Sequence, residues 1–260
     1  MATITRGQVS TYATNQTTPV GTTFSVAPTA GDSVLVFIQC GASPSGAMNT
    51  VQAVLDNGSP QRSFNLVCAA GATPNVAASG YRGALIYRAD NVQPSGSYTV
   101  NVHQTNGGQT IGLGAVSYSN LGSFAGFVFG QSIAAGTVAH SGILTCPNPT
   151  ASVLFFGGFS NNSSANPQTQ TLNSADFTGR GSNTNGTSFI CAGLADAITA
   201  SGATEDLQWT FGDSVTWSVI LAAFHDSDSK TGDTLLLPNT NLGNGEPNIR
   251  PYMFSPGNVR

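Results

Sequence analysis

The sequence predicts an all-β fold: an antiparallel two-sheet sandwich, jelly-roll-like, built from two degenerate repeats and followed by an extended C-terminal arm. Three observations carry that expectation: residue usage, strand periodicity and internal resemblance. Charged residues make up 8% of the 260-residue chain, against about 25% of an average soluble domain. Lys230 is the only lysine, and Glu205 and Glu246 are the only glutamates. These good helix formers are replaced by Ser, Thr, Gln, 21 Asn and 31 Gly, while Thr, Val, Phe and Tyr suit pleated, half-buried surfaces. Net charge is −4 with eight basic residues spread thinly. That excludes an electrostatic grip on nucleic acid or on an anionic membrane as the basis of function.

The periodicity identifies individual strands. In Ser97-Tyr-Thr-Val-Asn-Val-His103, Tyr98, Val100 and Val102 share one face and Thr99, Asn101 and His103 the other. Leu207, Trp209 and Phe211 alternate with Gln208 and Thr210 in the same way. The runs at 34–38, 84–87, 153–156 and 219–224 are continuously apolar, as central strands covered on both faces require. Turn residues punctuate them at Asp56-Asn-Gly-Ser-Pro60, Gln93-Pro-Ser-Gly96, Asn106-Gly-Gly108 and Asn183-Thr-Asn-Gly186. No segment keeps a 3.6-residue apolar period, so helices should be short and few.

Four pairs of segments line up in the same order. Gly31–Gly41 matches Thr150–Ser160, and Gly80–Asp90 matches Gly186–Asp196. Gly96–His103 matches Thr204–Phe211, and Ile111–Asn120 matches Trp217–Asp226. The expected division is a β-sandwich over 1–226, with repeat halves at about 20–121 and 130–226. A half of about five strands would leave a hydrophobic face bare on its own, so one shared sandwich is expected rather than two independent domains. Residues 227–260 form a Pro-rich arm without a counterpart. Pro238, Pro247, Pro251 and Pro256 forbid a long helix or a regular ladder there. Yet Leu235, Leu236, Leu237, Ile249, Tyr252 and Phe254 are too apolar for a solvated tail. These six are the candidate protein-interaction residues.

The paired pattern resembles a β-sandwich module of phage structural proteins and bacterial surface proteins. The segments that carry the resemblance are Ala30–Ile38, Asp56–Val67, Leu85–Val92, Gly96–Val102 and Ala115–Leu121, with Leu221–His225 closing the second half. The resemblance covers about residues 20–226 and implies a virion or surface component with no catalytic residues to transfer. The N-terminus lacks the basic and apolar regions of a signal peptide, which favours a virion part made in a host cytoplasm.

The residues that could carry chemistry fit structural roles. There is no G-x-S-x-G nucleophile elbow. His103, His140 and His225 lie on a strand face, in a loop and at a strand end, with no triad visible. Asp32, Asp56, Asp90, Asp196 and Asp213 fall at expected turns or strand ends, where Asp bonds its own backbone. Asp226-Ser-Asp228 with Asp233 resembles an acidic loop but fails the EF-hand spacing, leaving an irregular Ca²⁺ site as the minor alternative. Cys40, Cys68, Cys146 and Cys191 are too scattered for a disulfide scaffold or a zinc site. Trp209 and Trp217 have core-like spacing, with a sugar-stacking groove as the alternative. The expectation is therefore a non-enzymatic virion protein without cofactor or metal. It would be a capsid decoration or cement protein, forming a homo-oligomer such as a trimer and docking through its arm on the major capsid protein or another virion protein. The alternative is a tail- or fibre-associated module that binds host-surface glycan.

Overall fold

The computed structural model describes residues 3–15, 19–40, 51–70, 83–104, 110–146, 152–161, 168–183, 191–200 and 203–228. Every regular element among them is a strand. The first nine are β1 (Thr5–Val9), β2 (Ala13–Asn15), β3 (Val20–Thr23), β4 (Ser33–Cys40), β5 (Val51–Asp56), β6 (Asn65–Ala70), β7 (Gly83–Ala89), β8 (Thr99–Gln104) and β9 (Ile111–Ser119). Then follow β10 (Leu121–His140), β11 (Leu144–Thr145), β12 (Ser152–Asn161), β13 (Gln170–Leu172), β14 (Thr178–Asn183), β15 (Cys191–Ala200), β16 (Thr204–Glu205) and β17 (Gln208–Asp226).

Two six-stranded sheets dominate. One has the order β1-β9-β4-β7-β6 with β2 beside β9; the other has β10-β17-β12-β15-β14 with β13 beside β17. Smaller sheets, β3-β8-β5 and β11-β16, accompany them. All described pairs are antiparallel. The segments that match each other in sequence lie on β4 and β12, on β7 and β15, and on β9 and β17.

The architecture exceeds the expected pair of sheets, and the continuously apolar runs explain why. Along β4, Leu35 and Phe37 point into a core shared with the second large sheet, whose Leu154, Phe156, Leu194, Ile220 and Phe224 meet them. Val34, Val36, Ile38 and Cys40 point the other way, into a core closed by Val20, Val54, Val100 and Val102 of the three-stranded sheet and by Tyr98 just before it. The second half repeats the arrangement. Val153, Phe155, Val219 and Leu221 leave the shared core and pack under Ala139, Leu144, Leu207, Trp209 and Phe211. Each large sheet is thus buried on both faces, and three cores result instead of one. A strand with two apolar faces needs a cover on each side, which one two-layer sandwich cannot supply.

The predicted alternation of β8 holds: Val100 and Val102 are buried while Thr99, Asn101 and His103 are half-exposed. No helix occurs among the described residues. The stretch between the two expected halves is strand, because β10 and β17 are 20 and 19 residues long and pair along their length. Both bend, so their far ends at Val138–His140 and Gln208–Thr210 join β13 in covering the third core. The bend brings the His140 carbonyl to within 1.9 Å of where a Cβ on Gly130 would stand, so only glycine fits there. The arm residues Leu235, Leu236, Leu237, Ile249, Tyr252 and Phe254 lie outside the described residues.

Gly158 of β12 tests the closeness of the central packing. A Cβ there would stand 2.3 Å from the Gly193 carbonyl oxygen and 2.9 Å from the Phe37 ring. Gly158→Ala should cost about 1–3 kcal/mol, the usual penalty of overpacking, read as a lowered urea midpoint. Gly179→Ala, where a Cβ meets nothing within 4 Å, should stay within about 0.5 kcal/mol of the parent.

Candidate functional site

The densest group of charges lies between the two large sheets. Asp196, in the middle of β15, is fully buried. Its Oδ2 accepts hydrogen bonds from Arg6 Nε of β1 at 2.7 Å and from the Tyr118 hydroxyl of β9 at 2.6 Å. Its Oδ1 accepts from Arg180 Nε of β14. Two residues of the first sheet and one of the second therefore converge on a single carboxylate. Burial, and then the Asp196 charge, push the Tyr118 hydroxyl well above its ordinary pKa, so it stays a neutral donor. Three donors, two of them guanidinium groups, fill most of the acceptor positions of the carboxylate. It is a clamp between the halves. This corrects the turn or strand-end position expected for Asp196, whose partners are supplied by distant strands rather than by its own backbone.

Asp32 and Asp56 behave as turn residues and Asp90 sits at a strand end, whereas the turn or strand-end position expected for Asp213 is corrected, because it falls inside β17. Asp56 Oδ1 accepts from the backbone N–H of Gly58 and Arg62, and its Oδ2 accepts from the Tyr98 hydroxyl at 2.6 Å. Asp32 accepts from the Thr29 N–H. Asp90, just past β7, accepts from Ser33 and pairs with Arg88 at 2.7 Å. Asp213 lies in the bent part of β17 and accepts from Gln168 at 2.7 Å. Arg88 also donates to the Gly122 carbonyl and stands 5.6 Å over the Phe224 ring. Phe224 is the residue aligned with Tyr118 in the sequence comparison. One half thus offers a hydroxyl to a buried carboxylate, and the other offers a ring face to a guanidinium.

The groups that nucleophilic chemistry would use are neutral. Cys146 Sγ lies 3.8 Å from His225 Nδ1. Burial pushes the Cys146 thiol up to about 11 and pulls the His225 imidazole down against the Asp226 charge. A neutral thiol beside a neutral imidazole is not the ion pair of a thiolate nucleophile. Cys40, Cys68, Cys146 and Cys191 are all buried and free, with Cys40 pushed up to about 12 by burial. Asp226 accepts from the backbone N–H of Ser152 and Asp228. Among the described residues no three His, Cys, Asp or Glu side chains come together as metal ligands would; Asp233 of the acidic loop lies outside them.

The aromatic alternative divides in the same way. Trp209 and Trp217 are buried in the third core, with Phe159 4.8 Å from Trp209. Neither presents a face on which a sugar could stack. Tyr118 is internal, the Tyr12 hydroxyl is buried, and Tyr81 and Tyr252 lie outside the described residues.

Of the five exposed large apolar side chains among the described residues, Val26 and Leu66 lie elsewhere and three lie on or just after β10. Phe129 is 38% exposed, Val138 50% and Ile143 69%. Among the described residues β10 is an edge strand, and it carries no charged residue. The sequence does not mark it as a strand, since Gly122, Gly126, Gly130 and Gly136 interrupt the alternation by which a strand is recognised.

Compared with protein-family models, curated proteins and solved structures, the chain matches none.

Asp196→Asn keeps the shape of the clamp but leaves two guanidinium groups without a counter-charge. It should cost about 3–5 kcal/mol, the usual result of breaking a buried ion pair from one side. Tyr118→Phe should cost about 2 kcal/mol, as for a hydrogen bond to a charged acceptor. Chemical denaturation of both variants checks the order.

Proposed function

We propose that the protein is a non-enzymatic structural component of a virion, a capsid decoration or cement protein that assembles with its own copies and docks through its C-terminal arm. The observation that carries the reading is the uncharged β10 edge, 20 residues long, starting where the arm departs. The Ser227 N–H donates to the Asn120 carbonyl, one residue before β10 begins. Proteins that act alone usually blunt such edges with charge, proline or short length. A protein whose work is association keeps one open. The apolar arm supplies a second adhesive element, and many weak contacts across a lattice add up by avidity.

We read the two halves as degenerate copies of one jelly-roll-like unit. Matching segments on β4 and β12, β7 and β15, and β9 and β17 support this, as does the like order of strands in the two large sheets. The shared core between them has the character of an isologous dimer interface fused into one chain.

Counting copies per particle by quantitative mass spectrometry of purified virions tests the reading. A decoration role predicts hundreds of copies in a fixed ratio to the major shell protein. A handful of copies would move the protein to a tail or fibre, and its absence from the particle would overturn the virion reading. Removing residues 233–260 should leave a folded, soluble protein that no longer associates with particles. A truncated chain that still binds them normally would refute the role of the arm.

A further inference from the structure

We propose that the open edge of β10 receives the segment Thr234–Leu237 of the C-terminal arm of a neighbouring copy, as an added antiparallel strand. The proposal rests on the assembly reading above and names the partner surface within it.

One edge of β10 is paired with β17; among the described residues no strand pairs with the other. The start of the strand is closed off, because the Leu121 and Gly122 carbonyls accept from the Arg88 guanidinium. The register shifts at Phe124–Gly126 and again at Ser132–Gly136, so an uninterrupted ladder runs from Gly126 to Ser132. It holds no charge and no proline. The other ends of the two large sheets are guarded as edges usually are. β1 carries Arg6 and a register shift, β14 carries Arg180 and a register shift, and β6 is six residues long with a shift of its own. Among the described residues, β10 alone of the four edges presents an uncharged run of seven residues in unbroken register.

The side chains fit the arm. Phe127 and Phe129 stack on one face of β10 with rings 6.3 Å apart, and Phe129 is 38% exposed. In an extended Thr234-Leu-Leu-Leu237, Leu235 and Leu237 share one face and Leu236 takes the other. Leu235 and Leu237 would lie along the phenylalanines, and Leu236 beside Val128. Pro238 has no N–H and ends the pairing after four residues, well within the open run. Neither strand brings a charge that would be stripped of water.

The direction of the chain selects the neighbour as donor. The arm leaves beside Leu121, and the stretch from Asp228 to Thr234 spans about 20 Å at full extension. Ser132 lies about 36 Å along the strand from Leu121. A chain's own arm therefore meets β10 from the Leu121 end, running parallel to it. A neighbour's arm can enter at the Ser132 end and pair antiparallel, which is the more stable ladder and the kind that all described strands use.

The test uses full-length protein in two preparations, one carrying Phe129→Cys and the other Leu235→Cys, mixed and mildly oxidised. The four native cysteines are buried, and Val26→Cys, 59% exposed, serves as the control partner. The expected result is a 129–235 disulfide between chains, identified by mass spectrometry and forming at least about tenfold faster than the 26–235 link, as paired strands at high effective concentration require. Predominant 129–129 linkage would show edge-to-edge pairing of two copies and overturn the arm as occupant. A 129–235 link inside single chains of the doubly substituted protein at high dilution would overturn the neighbour as donor, as would a mixed link no faster than the control. Light scattering of the parent protein separates the failures. Oligomers without the 129–235 link would sink this inference and leave the assembly reading standing, whereas a parent that is monomeric and missing from particles would sink both.

Discussion

The rest of the structure depends on the burial of both faces of two large β-sheets, which forces them to pack on each other. Leu35, Phe37, Ile86 and Tyr118 of one sheet and Leu154, Phe156, Ile220 and Phe224 of the other are excluded from water in a single core. Burial on this scale supplies most of the driving force for folding at about 25 cal/mol per Å² of apolar surface. It is indifferent to register and angle. Asp196 supplies the direction. By taking Arg6 and Tyr118 from one sheet and Arg180 from its own, it ties β15 to β1 and β9, and a shift of either sheet would strand buried charge. In a chain with seven arginines, committing two of them to one carboxylate marks that contact as the specifying element of the interface.

This arrangement decides where activity can reside. The broad faces are consumed by packing, and the two tryptophans and the cysteines are consumed with them. Among the described residues, β10 runs uncharged at the margin, beside the point at which β17 ends.

Much of this was legible in the sequence, for local reasons. The runs Val34–Ile38 and Val219–Phe224 announce two-faced burial because every residue in them is apolar, and Tyr98–Val102 announces one-faced burial because only alternate residues are. Those signals say which faces are covered and leave open what covers them, so the number of layers was underestimated. The clamp was hidden for another reason. Asp196 meets Arg6 190 residues away and Tyr118 78 residues away, and nothing near it in sequence separates it from Asp90, which does sit at a strand end. β10 was hidden by its glycines, which show no face. Two of them are required by close approach: a Cβ would stand 2.1 Å from the Asp226 carbonyl oxygen at Gly122 and 1.9 Å from the His140 carbonyl oxygen at Gly130.

The most direct test of the central claim is whether the halves unfold together. Trp209 and Trp217 both sit in the third core, so their fluorescence reports the second half alone, while far-ultraviolet circular dichroism reports all of the strands. In guanidinium chloride at equilibrium the two signals should trace one coincident transition, as a single cooperative unit requires. A tryptophan transition clearly separated from the dichroism transition would mean that the halves are stable apart, and that the shared core and its Asp196 clamp are an accessory to the fold.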